Sequence, residues 1–227
     1  MNEPVFVDLP SVASDRTPPP TFTAGVPIEP IEFDGPLHYP DDTAAALAAE
    51  AATIIAKYPQ SRSALLPLLH LVQSHDGYLT RAGVAFCAQQ LGLSTAQVGS
   101  VATFYTMYRR QPTGDYFVGV CTNALCAVMG GDAILSDLTD SLGIAPGGTT
   151  DDGVVTVDRV ECNAACDFAP VVMVNWEFFD NQTPDSVKAL IDDLRAGNPP
   201  APTRGPSSLC TFRQAARLLA GVEEEQP

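Results

Sequence analysis

Apolar positions recur at helical spacing through the first half of the chain and then change to the alternation expected of strands. A first helix is predicted from Asp42 or Thr43, either of which can cap it, through Ala-rich sequence to Lys57 ahead of Pro59, with Leu47, Ile54 and Ile55 on its apolar side. A second runs from about Ser61 to Gln73, where Leu65, Leu66, Leu68, Leu69 and Val72 form a broad apolar face. Pro67 inside it requires either a place in the first turn or a kink. A third follows Thr80 and stops at Gly92, with Val84, Cys87 and Leu91 spaced three and four apart. A fourth, capped by Ser94, carries Val98, Val101 and Ala102 toward Phe104 and Tyr105. Brief connections between four short helices predict a small bundle.

After the turn signal Pro112-Thr113-Gly114-Asp115 the period changes. Tyr116 to Val120 reads as a strand that ends on Cys121; a helix from Asp132 carries Ile134, Leu135, Leu138 and Leu142 and ends at Gly143. The polar loop from Gly147 to Gly153 leads into a strand from Val154 to Val160. Pro170 opens another at Val171 to Val174, with a hairpin-like return through Trp176, Phe178 and Phe179. Pro184 then starts a helix through Val187, Leu190, Ile191 and Leu194. Strand, helix, strand, strand, helix is an abbreviated thioredoxin-like layout, a small sheet covered by helices on one face.

Composition alters the picture mainly at the two ends. Residues 1–40 hold nine of the 20 prolines, which predicts an extended arm; residues 41–110 are the bundle, 111–196 the sheet domain, and 197–227 a second arm, Pro-rich and acidic, holding a short amphipathic piece from Phe212 to Leu219. A formal charge of −15 excludes a nucleic-acid surface, which needs clustered Lys and Arg, and disfavours anionic lipid. No apolar run approaches the roughly 18 residues of a membrane span, and Met-Asn-Glu-Pro lacks the basic start of an export signal, so a soluble cytoplasmic protein is expected.

The chemistry lies in the cysteines. Cys121 and Cys126 are spaced C-x4-C, Cys162 and Cys166 C-x3-C, with 35 residues between the pairs. Two local thiol pairs, each following a β-like run, suit a four-thiolate metal or iron–sulfur site, because two loops can turn their sulfurs toward one place. Structural zinc usually uses C-x2-C knuckles but tolerates C-x4-C, and stays open. A thioredoxin-type disulfide enzyme needs a C-x-x-C that is absent, and structural disulfides are disfavoured in a reducing compartment. An iron–sulfur cluster leaves least unexplained, small residues such as Ala124, Ala127, Ala164 and Ala165 letting backbone amides approach the sulfurs. Cys87, among Val84, Ala85 and Phe86, reads as a buried free thiol, and Cys210 stands outside the pairs. His70 and His75, five apart and without further ligands nearby, read as surface or capping residues.

Val101 through Tyr108, Val120-Cys121 through Cys126, Gly147 through Gly153, and Glu161-Cys162 through Cys166 with Ala169-Pro170 resemble the 24 kDa family of NADH:quinone oxidoreductase components, from respiratory complex I, over about residues 41–195. The resemblance implies an α+β protein, a small N-terminal helical bundle followed by a thioredoxin-like [2Fe–2S] ferredoxin domain. It implies one cluster held by Cys121, Cys126, Cys162 and Cys166, and no catalytic acid or base on this chain. It also implies a flavoprotein partner that carries FMN and oxidises NADH, further peripheral-arm subunits, and a place at the inner face of the cell membrane through the complex. The same domain serves NAD-linked hydrogenases and formate dehydrogenases. Ala164, where the family often has Gly, and Gly148, where it often has Glu, are the departures. No Gly-rich dinucleotide fingerprint is present, in keeping with nucleotide and flavin on the partner.

Overall fold

The computed structural model describes residues 32–222. Of the expected N-terminal arm, residues 1–31 lie outside the described residues, as does the acidic run Glu223-Glu224-Glu225. The end of that arm departs from expectation: Tyr39 donates to Asp76 Oδ2 at 2.6 Å, Arg81 Nε donates to the Phe33 carbonyl at 2.6 Å, and Phe33 and Tyr39 pack on the bundle. Two aromatic rings among the prolines are enough apolar surface to hold the segment down.

The bundle consists of α1 (Asp41–Ile55), a 3-10 turn (Ser61–Ala64), α2 (Leu65–Asp76), α3 (Arg81–Leu91) and α4 (Thr95–Phe104). The second predicted helix is thus divided, and Pro67 falls in the first turn of α2, where its missing N–H costs nothing. Thr80 caps α3 by accepting from Gly83 N, and Ser94 with Gln97 forms a capping box on α4. The apolar faces meet in one core of Leu47, Ile54, Leu68, Leu69, Leu71, Val72, Leu79, Cys87 and Val98. His70, expected near the surface, is buried with its ring 4.8 Å from that of Tyr108 and its Nδ1 unpaired among the described residues.

The sheet domain contains β1 (Tyr116–Cys121), α5 (Ala124–Val128), α6 (Gly131–Leu142), β2 (Val155–Val160), β3 (Val172–Val174), β4 (Glu177–Phe179) and α7 (Pro184–Arg195). Strand order is β2-β1-β3-β4, with β1 parallel to β2 and the remaining pairs antiparallel. The alternating residues Tyr116, Val118, Val120, Val155, Val157, Val172 and Val174 bury one face of the sheet against α6 and α7, as the alternation predicts. Asn175 and Trp176 both have positive φ, 48° and 72°, and make the tight return between β3 and β4.

The C-terminal segment, expected to be an arm, is part of the body as far as residue 222. Thr203 N donates to the Phe178 carbonyl at 2.9 Å, extending the β4 edge, and Asn175 Nδ2 donates to the Cys210 carbonyl at 2.8 Å. A last helix, α8 (Phe212–Leu219), lies on α2 and shows an inward stripe of Phe212, Ala216 and then Ala220. Phe212 is fully buried with its ring 5.4 Å from Trp176. Residues spaced four apart are legible as amphipathic; the surface they cover lies far back in the chain and is not.

Phe212→Ala is expected to cost about 3–5 kcal/mol of stability, read from denaturant unfolding. Burial lowers the His70 pKa from 6.5 to about 4. The unfolded chain therefore takes up a proton before the folded one does. The contribution is present above pH 6.5 and lost as pH falls toward 4, at most about 3 kcal/mol by linkage. His70→Gln is expected to flatten that part of the stability–pH curve.

Candidate metal centre

Parallel strands in register end on the same side. Tyr116 pairs with Val155 and Cys121 with Val160, so the loop after β1 and the loop after β2 leave the sheet as neighbours. Cys121 is the last residue of β1; Cys126 lies in α5, a short helix not anticipated from sequence, whose start is capped by Asn123 Oδ1 accepting from Ala124 N. Cys162 follows β2 by two residues, and Cys166 opens a 3-10 turn, Cys166–Phe168. Gly131 at the start of α6 sits so close to this loop that a Cβ there would run into the Cys121 carbonyl oxygen and meet the Cys126 carbonyl oxygen at 2.9 Å. A glycine is what lets α6 begin directly behind the thiols.

All six cysteines are free. Four converge and two do not: Cys87 is in the bundle core, and Cys210 is exposed in the C-terminal segment. The four form two pairs, Cys126 beside Cys121 and Cys166 beside Cys162, with Cys121 also near enough to Cys166 to interact electrostatically. Burial pushes the Cys126 thiol up, a backbone hydrogen bond from Val171 opposes this, and the neighbouring Cys121 adds to the rise. The hydrogen bond with Cys162, then its charge, raises Cys166. Cys121 and Cys126 are buried with Ala165 and Val171, against Val160, Ala169 and Phe178; Cys162 and Cys166 are exposed.

The second loop bends inward at Ala164, whose φ is 54° and whose N–H donates to Cys162 Sγ at 3.4 Å. Asn163 beside it has an amide nitrogen buried from water with no partner among the described residues. Its position inside C-x3-C is the only signal of this in the sequence. Among the described residues no three His, Cys, Asp or Glu side chains are gathered to hold a single ion. Two thiol pairs side by side, with the Ala164 N–H donating to sulfur and apolar walls, fit the donor set of a cluster in which each of two irons takes two thiolates.

Residues 51–195 match the family model described as thioredoxin-like [2Fe-2S] ferredoxin. The chain belongs to that family. Membership brings an iron–sulfur cluster with it, and the ferredoxin domain observed is the one the resemblance implied. The chain is 58% identical over 228 residues, 99% of its length and 84% of the relative's, to the E component of the NADH-quinone oxidoreductase of Mycobacterium tuberculosis. It is 39% identical over 145 residues, 63% of this chain and 80% of the other, to "NADH-quinone oxidoreductase subunit 2" of Thermus thermophilus. The crystal structure of an NAD+-reducing [NiFe]-hydrogenase has the same fold over 60% of this chain and 23% of that chain, with a TM-score of 0.53 and 24% identity.

The ferredoxin domain gives one sharp local expectation. Gly131→Ala must push backbone apart beside both Cys121 and Cys126, and is expected to cost about 1–3 kcal/mol in denaturant unfolding.

Proposed function

We propose that this chain is the 24 kDa-type electron-transfer component of an NADH–quinone oxidoreductase and that Cys121, Cys126, Cys162 and Cys166 hold one [2Fe–2S] cluster. The observation that carries the reading is the meeting of two thiol pairs at the common end of β1 and β2, in a chain 58% identical to such a component along 99% of its length. Such a cluster accepts and returns one electron at a time. The chain's own residues set the conditions for this. Val160, Ala165, Val171 and Phe178 keep water from one side, and the N–H group of Ala164 is directed at sulfur.

Electrons reach the chain, in this reading, from reduced FMN on a flavoprotein partner that oxidises NADH, and further peripheral-arm subunits place the complex at the inner face of the cell membrane. Among the described residues no helix is long and apolar enough to cross a membrane. A partner surface is supported by the apolar side chains around the cysteine loops. Leu125, Val128 and Met129 on and after α5 and Phe168 beside Cys166 are exposed, Val128 by 82%. Likeness to the hydrogenase is at the level of fold, so the NADH–quinone oxidoreductase reading is preferred.

Replacing any one of Cys121, Cys126, Cys162 or Cys166 by Ser is expected to abolish or sharply reduce bound iron and the visible absorption of the purified protein. Cys87→Ser and Cys210→Ser should keep both. Full iron in Cys162→Ser would remove the assignment, and stoichiometric zinc in place of iron would redirect it to a structural metal.

A further inference from the structure

The two thiol pairs are held unequally by their surroundings. Cys121 and Cys126 are buried in a small apolar core against which Phe178 packs, whereas Cys166 and the two residues after it, Asp167 and Phe168, are exposed. An exposed ligand loop opens more readily than a buried one, so what fastens it to the body governs how well it keeps a bound centre. Backbone hydrogen bonds hold the far end of this loop, Asn181 N donating to the Phe168 carbonyl at 2.8 Å and Gln182 N to the Pro170 carbonyl at 2.9 Å.

The Phe168 ring is held separately, by a residue far along the chain. The Arg204 guanidinium carbon lies 5.1 Å from the centroid of that ring and 4.2 Å from the centroid of the Phe178 ring, both within reach of a cation over an aromatic face. Its own position is fixed from two directions. Nη2 donates to Asp180 Oδ1 at 2.9 Å, and the backbone beside it lies on the β4 edge, where Thr203 N and Oγ1 both donate to the Phe178 carbonyl at 2.9 Å. One planar cation thus touches both the ring packed against Cys121 and Cys126 and the ring that follows Cys166. Arg204 lies outside residues 51–195, the part of the chain that matches the ferredoxin family.

We infer that Arg204 is a positioning residue for the iron–sulfur centre: it clamps Phe168 to Phe178 and so keeps the loop bearing Cys166 closed against the buried thiol pair. The inference rests on the ligation proposed above and gives the C-terminal segment a part in retaining the cluster. Opening of the loop carries Phe168 away from the guanidinium, so the contact is made in the closed state and lost in the open one. Its removal therefore raises the open population and with it the rate at which the cluster is lost.

The test uses the full chain loaded with its cluster, in wild-type form and as Arg204→Ala, Phe168→Leu and the double variant. Iron content is measured first, and the decay of visible absorption is then followed in excess EDTA without denaturant. Loss is expected to be about two- to fivefold faster in Arg204→Ala, the factor equivalent to one partly exposed cation–ring contact, with partial recovery in Arg204→Lys, which keeps the charge. In the Phe168→Leu background removal of Arg204 should add little, because the ring through which it acts is already gone. An unchanged rate in Arg204→Ala, or the same acceleration in both backgrounds, would overturn the clamp and leave the ligation reading standing. If Arg204→Ala does not load, Arg204→Gln takes its place in the cycle. If that also fails, Phe168→Leu alone decides, faster loss supporting the clamp and an unchanged rate excluding it. Absence of iron from wild-type protein would instead overturn the ligation reading, and the clamp with it.

Discussion

The in-register parallel pairing of β1 with β2 is the constraint from which the centre follows. Cys121 ends one strand, and Cys162 comes two residues after the other, so hydrogen bonds between the two backbones determine that both loops emerge together. A one-residue slip would turn every Val on the inner face outward and move one thiol pair away from the other. The apolar core under α6 and α7 thus holds the register, and the register holds the thiols. Structural stability and the geometry of the site depend on the same row of valines.

The second dependence is the way the C-terminal segment ties the sheet domain to the bundle. Asn175 is buried in the β3–β4 return, accepts from Phe117 N at 2.8 Å and donates to the carbonyls of Asp115 and Cys210 at 3.0 and 2.8 Å. The chain then enters α8, where Phe212 N donates to Asp115 O and Arg213 donates to the His75 carbonyl. Further along, Arg217 pairs with Glu50 at 3.0 Å, and Lys57 donates to the Gly221 carbonyl at 2.7 Å. The family match ends at residue 195, and this tie lies beyond it. One amide side chain therefore joins β1, the hairpin and the tail through three hydrogen bonds.

The chemistry asked of the centre is modest and its surroundings are suited to it. A group that only stores and passes an electron needs sulfur ligands, limited water and N–H dipoles, and no acid or base. Val160, Ala165, Val171 and Phe178 form an apolar wall against Cys121 and Cys126, and the Ala164 N–H donates to Cys162 sulfur, while Cys162, Cys166 and Phe168 are exposed.

Read by itself, the sequence determined the helical bundle, the strand and helix order and the two thiol pairs, because these are written in local periodicity, capping residues and short spacings such as C-x4-C. Ser94 and Thr80 cap helices where the side chains say they can, and Pro184 opens α7. What only the tertiary structure decided involves partners distant in the chain. The tail from Thr203 to Ala220 belongs to the body because Phe212 finds Trp176 and α2. His70 is buried because Tyr108 lies against it, and the Asn163 amide nitrogen is buried without a partner among the described residues because the loop closes over it. Local pattern reports which face of a segment is apolar; which surface that face meets is settled by how the whole chain packs, and no spacing within the segment encodes it.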